Sequence, residues 1–168
     1  MPKGSAWSLA SARIATAFTD AAEAAMAPGC FLDTNVLLYA VSASPAERRK
    51  RDLARQLLQE DDWTVSVQVL QEFVVQATRA SRPEALPAAD ARALVESWSR
   101  FRVQPVTWEV FQLALDLQQR YPLSYWDAAI LAAADLSGCT LLLSEDLSDG
   151  VSYGSVEVRN PFRGCAGV

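Results

Sequence analysis

Acidic side chains follow or interrupt apolar runs at four separate places in the sequence. Asp33 follows "CFL", Glu72 lies within "VQVLQEFVVQ", Asp127 follows "LSYW", and Asp146 lies in "LLLSED". Carboxylates that gather without counter-charge raise one another's pKa and destabilise the fold. The chain has no histidine, so Mg²⁺ or Mn²⁺ suits such a site better than zinc, because both ions prefer oxygen ligands and bind together with substrate phosphate. The residues therefore predict an acidic metal site that acts on a phosphate ester.

Each acid also has a simpler explanation when it is taken alone. Asp33 could cap the helix that follows it, and Ser124 with Asp127 has the spacing of a capping box. Glu72 could be a solvated residue beside an apolar stripe, and Asp146 lies in a polar turn, where Asp is common. Capping and turns explain these residues one at a time, whereas a metal site explains all four together.

Alternating strand and helix patterns supply the framework for these acids. Five short runs predict strands, namely "CFLD", "WTVSV", "RVQPV", "CTLLLS" and "SVEVRN", and the last alternates like an edge strand. Helical spacing predicts helices directly after residue 33, over 44–60, from 67, over 87–101, from 107 and from 124. Ser44, Pro45 and Glu47 predict a capping box at the start of the second of these helices.

This order of elements predicts one α/β domain over residues 30–163. We expect a mostly parallel central sheet of about five strands, with helices on both faces. Ligands of such folds bind outside the carboxyl ends of the strands, which is where Asp33 and Asp146 fall. Residues 1–29 are predicted to form a helical or disordered extension, and Met26, shortly before the first strand, is a candidate for the natural start.

Composition excludes several other classes of protein. The length of 168 residues, with 51% hydrophobic residues, suits one compact core. No apolar run is long enough to span a bilayer, so we expect no membrane partner. Three cysteines without CxxC spacing argue against a disulfide framework or a zinc site, and a reducing cytoplasm is the expected location. The net charge of −5 argues against coating of nucleic acid by bulk electrostatics.

Five segments together resemble a known family. The stretches "FLDTNVLLYA", "TVSVQVLQEFVVQATR", "LSYWDAAILAAA", "LLLSEDLSDG" and "VRNPF" resemble, in order and spacing, the signature segments of PIN-domain ribonucleases, particularly the VapC-type toxins of bacterial toxin–antitoxin pairs. The resemblance covers residues 30–162. It implies that Asp33, Glu72, Asp127 and Asp146 are the catalytic and metal-binding acids.

The resemblance also implies supporting residues and an activity. Thr34, Asn35 and Ser144 are expected to orient the carboxylates and water, and Asp149 is a weaker candidate, because relatives often have another polar residue there. The implied activity is Mg²⁺- or Mn²⁺-dependent endonucleolytic cleavage of RNA by metal-activated water, which leaves a 5′-phosphate and a 3′-hydroxyl. A small cognate antitoxin that presents a basic side chain to the acidic pocket, and a homodimer, are the expected partners.

Basic and aromatic residues are the expected contacts with RNA. The stretch "ERRKRDLAR" carries a local excess of positive charge, which is also typical of a solvated helix face. The candidate phosphate contacts are Arg48, Arg49, Lys50, Arg51, Arg79 and Arg82. The tryptophans Trp63, Trp98, Trp108 and Trp126 could stack on bases or contact the antitoxin, although large aromatic side chains more often pack in the core.

Two other functions fit the same residues. The first is a PIN module without catalysis that binds RNA or a protein partner, in which the acids are structural or are bridged by an arginine. The second is a phosphatase with Asp33 as nucleophile. Phosphatases of the haloacid-dehalogenase pattern need a second Asp two residues later, where this chain has Asn35, and a phosphate-binding lysine nearby.

Overall fold

The computed structural model describes residues 29–165. The predicted N-terminal extension and the candidate start at Met26 lie outside these residues. The elements in chain order are β1 (Cys30–Leu32), α1 (Thr34–Ala40), a 3₁₀ turn (Pro45–Glu47), α2 (Arg48–Leu57), β2 (Trp63–Ser66), α3 (Val67–Ala77), α4 (Ala88–Trp98), β3 (Arg102–Gln104), α5 (Trp108–Arg120), α6 (Tyr125–Leu136), β4 (Leu141–Leu143), β5 (Ser152–Tyr153) and β6 (Val156–Arg159). None of the helices in this part of the chain is long and apolar enough to cross a bilayer.

The six strands form one sheet in the order β3-β2-β1-β4-β6-β5. All pairs are parallel except β5 with β6. The chain moves outward from β1 to β3 and then returns to place β4 on the other side of β1. Because parallel crossovers are right-handed, this reversal puts helices α1–α4 on one face and helices α5 and α6 on the other. The predicted α/β fold with a mostly parallel sheet is therefore confirmed.

The predicted edge strand is wrong, and the sheet has one short strand in addition to the five predicted. Strand β6 pairs with β4 on one side and with the short β5 on the other, so β5 forms that edge and the sheet has six strands rather than about five. Strand β5 has two residues, which is too short to show the alternation by which strands are recognised. A turn at Gly154, with a φ of +64°, joins it to β6.

The predicted capping box at the start of α2 is also wrong. Ser44 makes no side-chain capping bond. Instead the buried hydroxyl of Ser42 donates to Glu47 at 2.6 Å and accepts the backbone N–H of Ser44 at 3.1 Å. Residues 45–47 form a 3₁₀ turn, and the α-helix begins directly after this turn, at Arg48.

The core lies on both sides of the central strands. Every residue of β1, β2 and β4 is buried, as expected of parallel strands covered on both faces. Helix α6 is buried from Ala128 to Ala134, in agreement with its apolar sequence. Two of the four candidate tryptophans, Trp63 and Trp98, belong to this core.

Candidate active site

The acidic residues lie at the point where the chain order in the sheet reverses. Strands β1 and β4 are neighbours, and the N–H of Asp33 donates to the carbonyl of Leu143 at 3.0 Å. Asp33 and Ser144 therefore follow the carboxyl ends of two adjacent central strands, from which the crossovers leave in opposite directions. This is the position at which open α/β sheets bind ligands.

Asp33 is the most buried of the four acids, with 5% of its surface exposed. Its Oδ1 accepts the N–H of Thr34 at 2.6 Å, and its Oδ2 accepts the hydroxyl of Ser144 at 2.6 Å and the amide of Asn35 at 3.0 Å. Burial nevertheless raises the pKa of Asp33 to about 6, against the lowering effect of the bonds from Ser144 and Thr34, and the charge of Asp146 adds to the rise. Asp33 caps α1, but no cationic side chain within residues 29–165 forms an ion pair with this carboxylate.

Asn35 connects Asp33 to Asp146. Its Nδ2 donates to Asp33 at 3.0 Å, to Asp146 at 3.3 Å and to Ser144 at 3.4 Å. The Oδ1 atom on the same amide is buried and has no hydrogen-bond partner among the described residues, and only 8% of the residue is exposed. A buried acceptor without a partner is costly, so the site fits an additional donor or cation next to the two carboxylates.

Glu72 is held from two directions on the other side of Asp33. The Thr34 hydroxyl donates to its Oε2 at 3.0 Å, and the Gln68 amide donates to its Oε1 at 2.8 Å. Gln68 also donates to the carbonyl of Trp126 at 3.1 Å, which connects α3 to the first turn of α6. Gln68 was not among the predicted site residues, although its position one helical turn before Glu72 is a signal by which it could have been predicted.

Asp127 lies at the start of α6, and its contacts are local. Ser124 caps the helix by accepting the N–H of Asp127 at 3.1 Å, and its hydroxyl donates to the Asp127 carboxylate at 2.7 Å. These contacts confirm that Ser124 and Asp127 cap α6. Asp127 makes no hydrogen bond to Asp33, Glu72 or Asp146 within residues 29–165.

The arrangement has the chemistry of a divalent-metal site without being a closed cage. Over residues 29–165, no three acidic, cysteine or histidine side chains are close enough together to enclose an ion. The atoms that could ligate a metal here are carboxylate oxygens and the Asn35 amide oxygen, which has no hydrogen-bond partner among the described residues. Mg²⁺ and Mn²⁺ prefer oxygen ligands, and Mg²⁺ usually keeps several waters and uses only one or two carboxylates directly. These residues therefore fit such an ion with water completing its coordination.

Asp149 lies apart from this group. Its Oδ1 accepts the N–H of Asn160 at 2.8 Å, and its Oδ2 forms an ion pair with Arg163. The bond from Asn160 lowers the pKa of Asp149, with a further contribution from Arg163. Asp149 was the weaker candidate for a supporting role, and its carboxylate holds the segment after β6 instead, because the backbone just after it pairs with β6 through the Gly150 N–H, which donates to the carbonyl of Val158 at 2.8 Å.

The predicted phosphate contacts differ in whether their side chains already bond to other residues of the protein. Lys50 forms an ion pair with Glu145 at 2.5 Å, and Arg51 donates to the carbonyl of Ser42 at 3.2 Å, so both side chains are engaged within the fold. Arg48 is exposed and lies 4.0 Å from Asp52. Arg49 and Arg79 are exposed, and Arg82 is partly buried.

A pocket of about 430 Å³ opens beside the acids, between α1 and the segment after α3. Asn35 and Asp146 are among the residues that line it. The lining also includes the carboxylates of Glu47 and Glu84 and one guanidinium, that of Arg82. Acidic side chains thus outnumber basic ones around this pocket.

An aromatic surface lies beside the start of α6. Trp108 and Trp126 are 64% and 63% exposed, so two of the four candidate tryptophans are not core residues. The rings of Trp108 and Phe111 lie 5.2 Å apart, those of Phe111 and Tyr125 6.0 Å apart, and those of Tyr125 and Trp126 5.4 Å apart. The row ends at the residue before Asp127. We call these four side chains the aromatic row.

Comparison with known proteins assigns the family. The PIN domain family matches residues 30–148, so the chain belongs to the PIN domain family. Comparison with curated proteins gave no match.

Solved structures share the fold at low sequence identity. A toxin–antitoxin complex from Klebsiella pneumoniae is 22% identical, with a TM-score of 0.58 over 79% of this chain and 97% of the other. The toxin VapC20 from Mycobacterium tuberculosis, described as cleaving the sarcin–ricin loop, is 24% identical, with a TM-score of 0.57 over 78% and 99% of the two chains. FitAcB from Neisseria gonorrhoeae is 19% identical, with a TM-score of 0.55 over 79% and 98%.

Proposed function

We propose that this protein is the toxin of a toxin–antitoxin pair and acts as a Mg²⁺- or Mn²⁺-dependent endoribonuclease. The observation that carries the proposal is the buried Asp33 carboxylate, which lies where the order of strands in the sheet reverses. The amide of Asn35 donates hydrogen bonds to both Asp33 and Asp146. A carboxylate that is buried beside two other acids destabilises the fold when it is ionised, and a bound cation would offset that cost. The structural likeness to VapC20, described as a toxin that cleaves the sarcin–ricin loop, supports RNA as the substrate.

The four acids have different tasks in this proposal. Asp33 and Asp146 would hold the ion, with Glu72 and Asp127 contributing directly or through water. A bound divalent cation supplies charge that neutralises a phosphodiester and lowers the pKa of water. Ser144 and Asn35 keep the Asp33 carboxylate in one orientation through Oδ2.

Arginine side chains and one exposed tryptophan ring are the proposed RNA contacts. Arg49 and Arg79 are exposed and available for phosphate, and Arg82 lines the pocket next to Asp146. Trp126 is exposed and precedes Asp127, so a base stacked on its ring would lie close to the acids.

The pocket beside the acids is the proposed site for the antitoxin. Glu47, Glu84 and Asp146 give it an excess of carboxylates over the single cation of Arg82. A basic side chain of the antitoxin would pair with these carboxylates and would exclude a metal ion. Solved relatives that include antitoxin complexes support such a partner. The three unpaired cysteines suit a reducing cytoplasm, which is our proposed location.

A homodimer is the proposed assembly, and the outer face of α5 is its proposed interface. Trp108, Phe111 and Leu115 lie on this face, with Val106 just before the helix, and all four are exposed. Monomeric proteins rarely expose contiguous apolar patches of this kind. Light scattering of the wild type and of Leu115→Glu tests the interface, because the variant is expected to be monomeric if the face is buried between copies.

Cleavage of RNA with analysis of the product ends tests the proposed function. We expect the wild type to cut RNA with Mn²⁺ or Mg²⁺, to leave 5′-phosphate ends and to stop in EDTA. Asp33→Asn should lose cleavage while remaining folded, and Asp116→Asn, which alters an exposed acid on α5, should keep it. Equal activity of Asp33→Asn and the wild type would refute the proposal, and 5′-hydroxyl ends would indicate a different mechanism or a contaminating nuclease.

One observation favours the alternative of a PIN module without catalysis. No three acids enclose an ion in the part of the chain described, which suits acids with a structural role. RNA binding without cleavage at millimolar Mn²⁺ would support this alternative. The phosphatase alternative gains no support, because Asn35 donates to Asp33 where that chemistry needs a second acid.

A further inference from the structure

Glu145, between the site residues Ser144 and Asp146, is held by two side chains from other elements. Lys50 of α2 contacts its Oε1 at 2.5 Å, and the Tyr39 hydroxyl of α1 donates to its Oε2. Lys50 also donates to the Tyr39 oxygen at 3.0 Å. We call Tyr39, Lys50 and Glu145 the Glu145 clamp.

The Glu145 clamp is partly buried and has an apolar support. Only 22% of the Lys50 side chain and 23% of the Glu145 side chain are exposed. The Lys50 ammonium lies 4.6 Å from the centre of the Tyr39 ring, and the buried Phe162 ring packs against Tyr39 with its centre 4.8 Å away. Desolvation offsets much of the attraction in a partly buried ion pair, so stability alone is a weak reason for this arrangement. Its geometric effect on the neighbouring residues is the more informative property.

Asp146 directly follows Glu145 in the loop after β4. Ser144 is held from one side by its bond to Asp33, and the Asp146 N–H donates to the Ser144 hydroxyl oxygen at 3.1 Å. Asp146 itself is exposed, and within residues 29–165 its carboxylate accepts one hydrogen bond, from Asn35 at 3.3 Å. Of the acids at this site, Asp146 is therefore the one whose position depends most on the path of its loop.

We propose that Lys50 and Tyr39 are positioning residues that act through Glu145 to hold Asp146 toward Asp33. In this role Lys50 is not an RNA contact, in contrast to the expectation from its place in "ERRKR". The kinetic part of this inference rests on the proposed nuclease function. Loss of a residue that orients a metal ligand typically costs about 10- to 100-fold in activity or metal affinity, whereas loss of a phosphate contact weakens RNA binding and reduces its salt dependence.

Amide hydrogen exchange measured by NMR on the full chain without metal tests the positioning itself. In Lys50→Met we expect the Asp146 amide to exchange about tenfold faster, because opening of the loop becomes easier, and in Lys50→Arg we expect protection close to wild type. Tyr39→Phe removes one hydroxyl and should give a smaller increase, which keeps the test decisive if Lys50→Met does not fold. Unchanged exchange in folded Lys50→Met or in Tyr39→Phe overturns the proposal.

Kinetics separate positioning from RNA binding. For Lys50→Met we expect kcat to fall about 10- to 100-fold with KM nearly unchanged, and recovery in Lys50→Arg. The neighbouring exposed Arg49→Met should instead raise KM and reduce its dependence on salt. A rise in KM with unchanged kcat in Lys50→Met would assign Lys50 to RNA binding and overturn the proposal. If the wild type cleaves no RNA, the proposed function fails, while the exchange measurement still decides whether the Glu145 clamp holds the loop.

Discussion

Replacement of Asp33 by Asn should make the metal-free protein more stable at neutral pH and less stable in acid. The pKa of Asp33 is raised from its ordinary value of 3.8 to about 6 in the folded chain, with burial as the main cause. One pKa unit corresponds to about 1.4 kcal/mol. Ionised Asp33 therefore lowers the free energy of unfolding by about 3 kcal/mol well above pH 6.

The sign follows from proton binding in the two states. Because the folded pKa is the higher one, the folded protein binds more protons than the unfolded chain between pH 3.8 and about 6. Stability of the wild type therefore falls as the pH rises through this window. Linkage gives a loss of about 2 kcal/mol between pH 4.5 and pH 7.5 from this one group. The variant has no ionisation here, but it weakens the bonds from Ser144 and Asn35, which costs about 1 to 2 kcal/mol at every pH.

Urea unfolding in EDTA, followed by circular dichroism at pH 4.5 and pH 7.5, measures this effect. The difference in unfolding free energy between Asp33→Asn and the wild type should shift by about 2 kcal/mol in favour of the variant from the lower to the higher pH. The same difference for Asp116→Asn should shift by less than about 0.5 kcal/mol, because that acid is exposed. A pH-independent difference for Asp33→Asn would show that the folded protein does not hold an uncompensated buried carboxylate at residue 33.

Three further predictions concern the backbone, the support of Glu72 and the RNA surface. Gly29→Ala should destabilise the protein more than Gly154→Ala in the same urea assay, since both have positive φ but only at Gly29 would a Cβ lie 2.6 Å from another backbone atom; equal losses would contradict this. Thr34→Val removes the bond to Glu72 and should weaken Mn²⁺ binding about tenfold by calorimetry, with recovery in Thr34→Ser, whereas unchanged affinity would remove Thr34 from the site. Trp126→Ala should raise the Kd for single-stranded RNA about tenfold or more by fluorescence anisotropy, and wild-type affinity would show that no base stacks there.

The part of the site that the sequence could predict is the part built from local pattern. Asp33 follows a short apolar run, and the carboxyl ends of parallel strands share one edge, so Asp33 and Ser144 could be placed together before the structure was known. The polar residues after β1 could be expected to hydrogen-bond to the Asp33 carboxylate next to them, and in the structure the Asn35 amide donates to it.

The remaining features depend on pairing between distant residues. A charged residue in "ERRKR" looks the same in the sequence whether it contacts solvent, RNA or Glu145. Lys50 contacts Glu145 because α2 packs against the loop after β4, and the sequence does not show this packing. Likewise, the link from Gln68 to Trp126 exists because α3 and α6 meet at the site. Strand β5 was missed because two residues carry no periodicity.

Calorimetric titration of the free protein with Mn²⁺ at pH 6, in two buffers of different ionisation enthalpy, shows whether the acids around Asp33 hold a divalent cation. We expect binding that releases about half a proton per site, because Asp33 is near its pKa and must ionise to become a ligand. Binding should be lost in Asp33→Asn but not in Asp116→Asn. No binding at millimolar Mn²⁺, or equal binding by the wild type and Asp33→Asn, would contradict the proposed metal site.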